Sequence, residues 1–414
     1  MSKVKDIVIV GGGAAGFFAA SILSESLVGL KITILEKTSK VLSKVKVSGG
    51  GRCNVTNSKN SIGDFSKAYP RGKNQMKKML KHFSNQDMVD WLEGKGVSMK
   101  VEEDGRIFPF SNSSQSIIDC FTTVCEDNDV ELLTGMKVEN IKQDEEVGFV
   151  LSTNKGDIGA KHVLVATGGF PSLGGYDFLA DLDLNMIEPI PSLFTFNIPK
   201  SPLKFLQGLS VENARVKVLG TKLEEEGAVL VTHWGLSGPG ILKLSAYGAK
   251  SLSERDYRFG IHINWLGNKS EDELRNELID YKSNYPSRKV SKYQLFGLPK
   301  RLWDNLLSQS EISEGKIWSE VSKKSFNKLV ENIYRMELAV DGKTTFKEEF
   351  VTCGGVDMGE IDVNTMQSKK YAGLYFAGEI LNVDGITGGY NFQNAWSGAF
   401  IAAKNIIKEN NDAE

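Results

Sequence analysis

Asp6-Ile7-Val8-Ile9-Val10-Gly11-Gly12-Gly13-Ala14-Ala15-Gly16 is the stretch on which the fold turns. Asp6 to Val10 is a short β-rich run of the kind buried on both faces of a parallel sheet. It leads straight into Gly11-x-Gly13-x-x-Gly16, which opens a helix predicted over Ala14 to Leu27, rich in alanine and other small residues. A second strand is predicted over Lys31 to Leu35 and ends on Glu36. Gly11 permits a tight turn, Gly13 lets the backbone approach a pyrophosphate, and Gly16 lets helix and strand pack closely. Ala14 and Ala15 stand in the first helical turn, where unpaired N–H groups and a partial positive charge favour phosphate. Glu36 lies about twenty residues past the glycines, where an acid accepts ribose hydroxyls and disfavours a 2′-phosphate. The unit therefore reads as a dinucleotide-binding βαβ. A glycine-rich turn in an ordinary βαβ unit would leave Glu36 unexplained.

Two later segments choose among dinucleotides. Val147 to Gly169 reads as two strands, Phe149 to Thr153 and His162 to Ala166, around an Asn154-Lys155-Gly156-Asp157 turn. It ends on Ala166-Thr167-Gly168-Gly169. Gly373 to Glu379 (GLYFAGE) is a short apolar strand that closes on a glycine and an acid. Both resemble segments of the flavoproteins with two dinucleotide-binding domains. In that group an ATG strand end lies near FAD, and a late G-x-x-x-F-A-G-[DE] strand places its acid toward the ribityl chain or pyrophosphate. The resemblance implies that Thr167, Gly168, Gly378 and Glu379 contact FAD. An NAD-bound dehydrogenase would leave both segments without a role.

Ser48-Gly49-Gly50-Gly51-Arg52-Cys53-Asn54-Val55-Thr56-Asn57, Thr232-His233-Trp234-Gly235-Leu236-Ser237-Gly238-Pro239 and Gly385-Ile386-Thr387-Gly388-Gly389-Tyr390-Asn391 narrow the likeness. Together they resemble one bacterial flavoprotein family, described as HI0933-like, aminoacetone-oxidase-like or BaiN-like, the last after a reductase of dehydro-bile-acid intermediates. The matching motifs span nearly the whole chain. One departure is Asn382, which stands where the family often has Asp. The resemblance implies an FAD-dependent oxidoreductase acting on a ketone, enone or amine carbon of a small organic substrate.

Read physically, Ser48 to Asn54 is a glycine-rich loop whose backbone offers donors at Gly51 and Asn54. Arg52 would be a fixed cation near the diphosphate or isoalloxazine, with Lys44 and Lys37 close by. Gly388 to Asn391 precedes a helix predicted over Phe392 to Lys408. Amides at Gly389, Asn391 and Phe392 would face the flavin N1/C2=O edge and stabilise charge that builds there. Met136-Lys137-Val138 reads as a strand passing the adenine, and equally as a plain core strand. Cys53 reads as a packing residue of its loop.

From about Ser192 the character changes. Val211 to Leu223 and Ala228 to Val231 are strand-like around an acidic turn, Glu224-Glu225-Glu226-Gly227, and Tyr257 to Asn264 alternates as another strand. Ser270 to Asn284 opens with Ser-Glu-Asp-Glu, a helix start signal. Ser291 to Ser308 and Lys316 to Arg335 also read as helices. The expected α/β architecture is a discontinuous, Rossmann-type FAD-binding domain (GR2-like) over 1–191 and 346–414. A β-rich module over 192–266 and 335–345 is inserted in it and carries a helical subdomain at 267–334, with the chain returning near Phe346. A small-molecule substrate would sit in the cleft between domains. No second G-x-G-x-x-G follows a strand, so NADH or NADPH, if it reduces the flavin, would dock only transiently.

The chain has 414 residues and a formal net charge of -2, so its global charge gives no argument for a nucleic-acid or membrane partner. Four cysteines without a CxxC pair fit neither a disulfide scaffold nor a metal site. No signal peptide or apolar run near the ~20 residues of a spanning helix is visible, and the expected location is the cytoplasm. Between Lys37 and Gln86, however, twelve Lys/Arg (37, 40, 44, 46, 52, 59, 67, 71, 73, 77, 78, 81) face one acid, Asp64. This stretch is either a solvated basic face or a landing site for a nicotinamide 2′-phosphate or an RNA backbone. The candidate proton donors are His233 and Tyr390. The leading reading is an oxidoreductase of a small organic substrate. The competitors are an FAD-containing RNA-binding or RNA-modifying protein and a flavin-bound regulator without turnover.

Overall fold

The computed structural model describes residues 4–344 and 351–412, so the expected return near Phe346 lies outside the described residues. Strand β1 (Lys5–Val10), helix α1 (Ala14–Ser26) and strand β2 (Ile32–Glu36) follow the glycine spacing. β1 pairs in parallel with β2 on one side and with the strand Gly156–Val165 on the other. Both faces are covered, and Ile7, Val8 and Ile9 are wholly buried, which is why their sequence is continuously apolar.

Outward from this centre, Glu131–Thr134 adds in parallel to β2, and Leu374–Phe376 adds in parallel to Gly156–Val165. The short strands Gln367–Ser368 and Ile361–Asp362 extend the sheet antiparallel. Val138–Asp144 and Gly148–Thr153 form an antiparallel meander onto Gly156–Val165. The register sets Val10 beside Leu35 and Val165, and Val165 beside Phe376. Four strands therefore finish at one edge, the carboxyl edge where open α/β sheets bind ligands.

Helix α1 packs against the C-terminal helix Tyr390–Asn411. Phe18 of α1 meets Trp91, Phe83 and Trp396 at ring-centroid distances of 5.1, 5.3 and 5.7 Å. Gly16 is required here: a Cβ on it would lie 2.0 Å from the Gly11 carbonyl oxygen.

The chain divides into two compact units. The first holds the described residues up to Ser192 and those from Val351 on, and the second holds Leu193 to Thr344. In the second unit a seven-stranded antiparallel sheet runs in the order Met336–Asp341, Arg258–Asn264, Ser210–Val218, Glu224–Val231, Gly235–Ser237, Thr195–Asn197, Lys343–Thr344. The helices Glu271–Asn284, Lys300–Gln309 and Lys323–Tyr334 send Leu274, Trp303 and Leu329 into the same core as Val216 and Ile261 of the sheet. They share the core of the sheet and have none of their own.

Four local expectations change. Glu224 to Gly227 is strand: Lys217 stands opposite Glu224, and Arg215 pairs with Glu226 at 3.2 Å. Cross-strand cations hold the acids extended, and the turn falls instead at Leu219–Lys222, with Gly220 at φ 70°. Ser291 to Pro299 is not helical. Phe296 and Gly297 have φ of 61° and 68°, and the helix waits for Pro299 at its N-cap. The segment from Lys316 splits into a short turn, Trp318–Glu320, and a helix that Ser322 caps by accepting the Ser325 amide. The loop at Ser48 is the end of a helix begun at Ser43, and Ser48, Gly49 and Gly50 leave helical geometry. Ser270 does cap its helix in a reciprocal capping box with Glu273. Among the described residues no helix is long and apolar enough to cross a membrane.

Candidate cofactor site

Gly11 sits where the ends of β1 and Gly156–Val165 converge. Its φ is 115°, and a Cβ would meet the Ala166 carbonyl oxygen at 2.5 Å. Gly13 is the opposite case: a Cβ there would meet nothing within 4 Å. The space above the start of α1 is open, and no side chain caps that helix. The amides of Ala14, Ala15 and Gly16 have no intrahelical acceptor, as in any first turn. The result is an anion cradle with its positive end bare.

Glu36 closes one side of the cradle. Its Oε2 accepts the Gly12 amide at 2.9 Å, and its Oε1 accepts the Thr38 amide and hydroxyl at 2.8 and 2.9 Å. Behind it, the Met136 amide donates to the Glu36 carbonyl at 2.9 Å, which brings the start of the strand at Val138 to this edge. Lys37 lies over the Phe170 ring at 5.2 Å.

On the other side stand Thr167, Gly168, Gly378 and Glu379. Gly378, at φ 82°, faces Ala15, whose Cβ is 3.3 Å from where its own would be. Glu379 is held twice, by the Thr352 amide on Oε1 at 2.9 Å and by Lys44 Nζ on Oε2 at 2.6 Å. The Thr352 hydroxyl is buried and has no hydrogen-bond partner among the described residues. Open space over bare helical amides, an acid at the ribose position and a cation–acid pair beside glycines suit a dinucleotide diphosphate, and FAD fits this cradle.

A second group of candidates gathers at the C-terminal helix. With its amide oriented to satisfy both atoms, Asn54 donates to the Thr56 carbonyl and accepts the Gly389 amide, each at 3.0 Å. Gly389, at φ 92°, abuts Thr56, whose carbonyl oxygen is 2.5 Å from where a Cβ would be. Asn391 folds back on Gly385, accepting its amide and donating to its carbonyl, both at 2.8 Å. Phe392 stacks on Trp396 at 5.6 Å. These side chains shape the loop and leave backbone amides of the first helical turn as the available donors. Arg52 is engaged by Glu102 at 2.5 Å and lies over the Phe108 ring at 4.0 Å. Gly51, at φ 84°, uses its carbonyl to accept the Ser114 amide at 2.9 Å. Cys53 is fully buried, and burial pushes its thiol up to about 12, so it packs.

The sequence reading missed one buried network. Arg71 donates from Nε to Asp384 Oδ1 at 2.6 Å and from Nη2 to Oδ2, and Nη2 also reaches Ser192 Oγ at 3.0 Å. The Ser192 hydroxyl donates to Asp384 Oδ2. Asp384 is fully buried, and burial pushes its carboxyl above the ordinary value against the pull of Arg71 and Ser192. The available signal was the Asp-Gly pair opening Gly385 to Gly389.

Tyr390 is 3% exposed, with ring centroids 4.9 Å from Phe65 and 6.0 Å from Tyr69. His233 is exposed in the second unit, its ring 4.0 Å from Trp234. The turn beneath it is pinned by Trp234 Nε1 donating to Thr195 at 3.1 Å. Within the basic stretch, Lys44, Arg52, Lys67 and Arg71 pair with Glu379, Glu102, Asp64 and Asp384. Lys73, Lys77, Lys78 and Lys81 are exposed and form no ion pair among the described residues.

The family model described as HI0933-like protein Rossmann domain matches residues 5–405. The chain belongs to this family. It is therefore an FAD-dependent oxidoreductase by family, with an α/β Rossmann-type FAD-binding fold. It is 31% identical to the ribosomal RNA dihydrouridine synthase of Haemophilus influenzae, over 99% of this chain and 100% of that protein. It is 27% identical to the 3-dehydro-bile acid delta(4,6)-reductase of Clostridium scindens, over 96% and 97% of the two chains. Among solved structures, the 3-ketosteroid-delta4-(5alpha)-dehydrogenase from Rhodococcus jostii RHA1 superposes with a TM-score of 0.52 at 13% identity, covering 97% of each chain. That likeness shows a shared fold.

Proposed function

We propose that this family member reduces a carbon–carbon double bond conjugated to a carbonyl, drawing electrons from transiently bound NADH or NADPH. The observation that carries the reading is a shared chemistry in the two curated relatives. Dihydrouridine is uridine saturated at its C5=C6 bond next to a carbonyl, and a delta(4,6)-reductase of a 3-dehydro compound saturates double bonds conjugated to a ketone. Bound FAD supplies the hydride transfer. The chain's part is to hold the diphosphate at Gly13, Ala14, Ala15 and Gly16, to meet the ribose at Glu36, and to present amides of Asn391 and Phe392 to the flavin ring. His233, exposed on a pinned turn of the second unit, is the residue we propose as proton donor. The leading substrate is a small enone.

A second reading places the reacting ring in RNA, as uracil. The exposed lysines 73, 77, 78 and 81 favour it, because they form a cationic face beyond what one diphosphate needs. Anaerobic mixing of the FAD-loaded protein with NADH and then NADPH should bleach the flavin absorbance. Adding a 3-oxo-4-ene steroid or an unmodified ribosomal RNA transcript should then restore it. Restoration by the steroid supports the leading reading and restoration by the transcript supports the second. Reduced flavin that neither compound reoxidises would remove the proposal.

A further inference from the structure

The second unit carries an aromatic and cationic surface that the reductase chemistry does not use. Between Tyr281 and Trp303 the sequence holds six cations (Lys282, Arg288, Lys289, Lys292, Lys300, Arg301) and no carboxylate. At its centre the Arg288 guanidinium lies 3.7 Å from the Tyr285 ring centroid and 5.1 Å from that of Tyr293. It also reaches the Tyr281 hydroxyl at 3.3 Å. Among the described residues the side-chain partners of Arg288 are Tyr281, Tyr285 and Tyr293, and none is a carboxylate. Tyr285 and Tyr293 are 39% and 41% exposed.

The backbone beneath is fixed. Trp318 and Ser319 donate their amides to the Arg288 and Pro286 carbonyls at 3.1 and 2.9 Å. Buried Trp303 donates from Nε1 to the Val290 carbonyl at 3.0 Å, and the Ser291 hydroxyl holds the Glu314 carbonyl at 2.6 Å. The side chains are thus exposed on a braced frame. Two part-exposed tyrosine rings within 5.1 Å of one guanidinium, with Lys289 and Lys292 close by in the chain, are the kinds of group on which unpaired bases stack while their phosphates meet cations.

We propose that Tyr285, Arg288 and Tyr293 form a stacking platform for a single-stranded segment of RNA. This rests on the RNA reading above and adds to it a site, in the inserted unit, that grips a substrate away from its reacting base. Charge and planarity both select the occupant: an acidic protein surface would meet the lysines but leave the rings exposed. The test uses the FAD-loaded full chain and a fluorescein-labelled 12-nucleotide oligouridylate carrying one 5-bromouridine. Fluorescence anisotropy at low salt should show binding. Tyr285→Ala and Tyr293→Ala should each weaken it about tenfold, the loss of one stacked base. Tyr285→Phe should retain it, and ultraviolet crosslinking should map to Tyr285 or Tyr293. Binding that both alanine variants leave unchanged, with circular dichroism confirming their fold, overturns the platform and leaves the RNA reading standing. No binding by the unsubstituted protein overturns both.

Discussion

Lys44 Nζ lies 2.6 Å from Glu379 Oε2, joining residues 335 positions apart at the mouth of the glycine cradle. The lysine is half-exposed and the acid mostly buried, so the pair itself contributes about 0–1 kcal/mol to stability. Its larger effect is to hold a cation at Glu379, the neighbour of Gly378, which faces Ala15 of α1. Lys44→Met should therefore leave the thermal midpoint of the cofactor-free protein within about 2 °C, because surface substitutions cost little. It should raise the FAD dissociation constant about tenfold, the loss of one contact to a charged group. Titration of protein fluorescence with FAD measures this, and an unchanged constant would place Lys44 outside the diphosphate site.

Gly13 and Gly16 make a contrasting pair. Gly16→Ala drives a methyl group into the Gly11 carbonyl oxygen and should destabilise the cofactor-free chain by about 1–3 kcal/mol, seen as a lowered midpoint in urea. Gly13→Ala places its methyl group in open space, so the fold should lose less than about 1 kcal/mol while FAD retention on gel filtration falls. Equal effects of the two substitutions on the cofactor-free midpoint would contradict the geometry.

Asp384 is a buried anion on which Arg71 and Ser192 converge. Asp384→Asn leaves Arg71 without that counter-charge and should cost about 3–5 kcal/mol in urea denaturation. Arg71→Met combined with Asp384→Asn should cost less than the sum of the two single substitutions, because the partners share one interaction. Additive losses would show that they act separately.

Glu131 carries a pH dependence of known sign. Lys5 at 2.6 Å, opposed by partial burial and helped by the Thr33 hydroxyl at 2.8 Å, holds its carboxyl below the ordinary value of 4.5. The native state binds this proton less tightly than the unfolded chain. The stabilisation is therefore fully present above pH 4.5 and is lost as pH falls through the depressed native value. Glu131→Gln should show a shallower loss of stability on acidification below that point. An identical slope in both proteins would mean the shift is absent.

The cofactor edge was legible because its requirements are local. Gly11 and Gly16 answer to close backbone approaches, Gly13 to open space at the helix start and Glu36 to the Gly12 amide, all fixed by spacing within one βαβ unit. The capping box of Ser270 and Glu273 is local in the same sense. What was not legible depends on partners distant in the chain. Glu224 to Glu226 looks like a turn until Arg215 and Lys217 stand across from it. Arg52 looks like a phosphate cation until Glu102 and Phe108 occupy it. Arg71 and Asp384 lie 313 residues apart, and neither neighbourhood announces the other. Phe296 and Gly297 interrupt an otherwise periodic stretch through positive φ, which hydrophobic spacing does not register.

The placement of the strand Leu374–Phe376 beside Gly156–Val165 has a consequence for biogenesis. A chain emerging from the ribosome can build β1, α1 and β2 early, yet the sheet keeps an unpaired edge, and α1 an uncovered apolar face, until Leu374–Phe376 and the helix Tyr390–Asn411 are made. The inserted unit, whose core draws on the contiguous span from Phe194 to Val340, can finish first. Synthesis can thus complete the core of the inserted unit while the parallel sheet it interrupts still lacks the strand Leu374–Phe376.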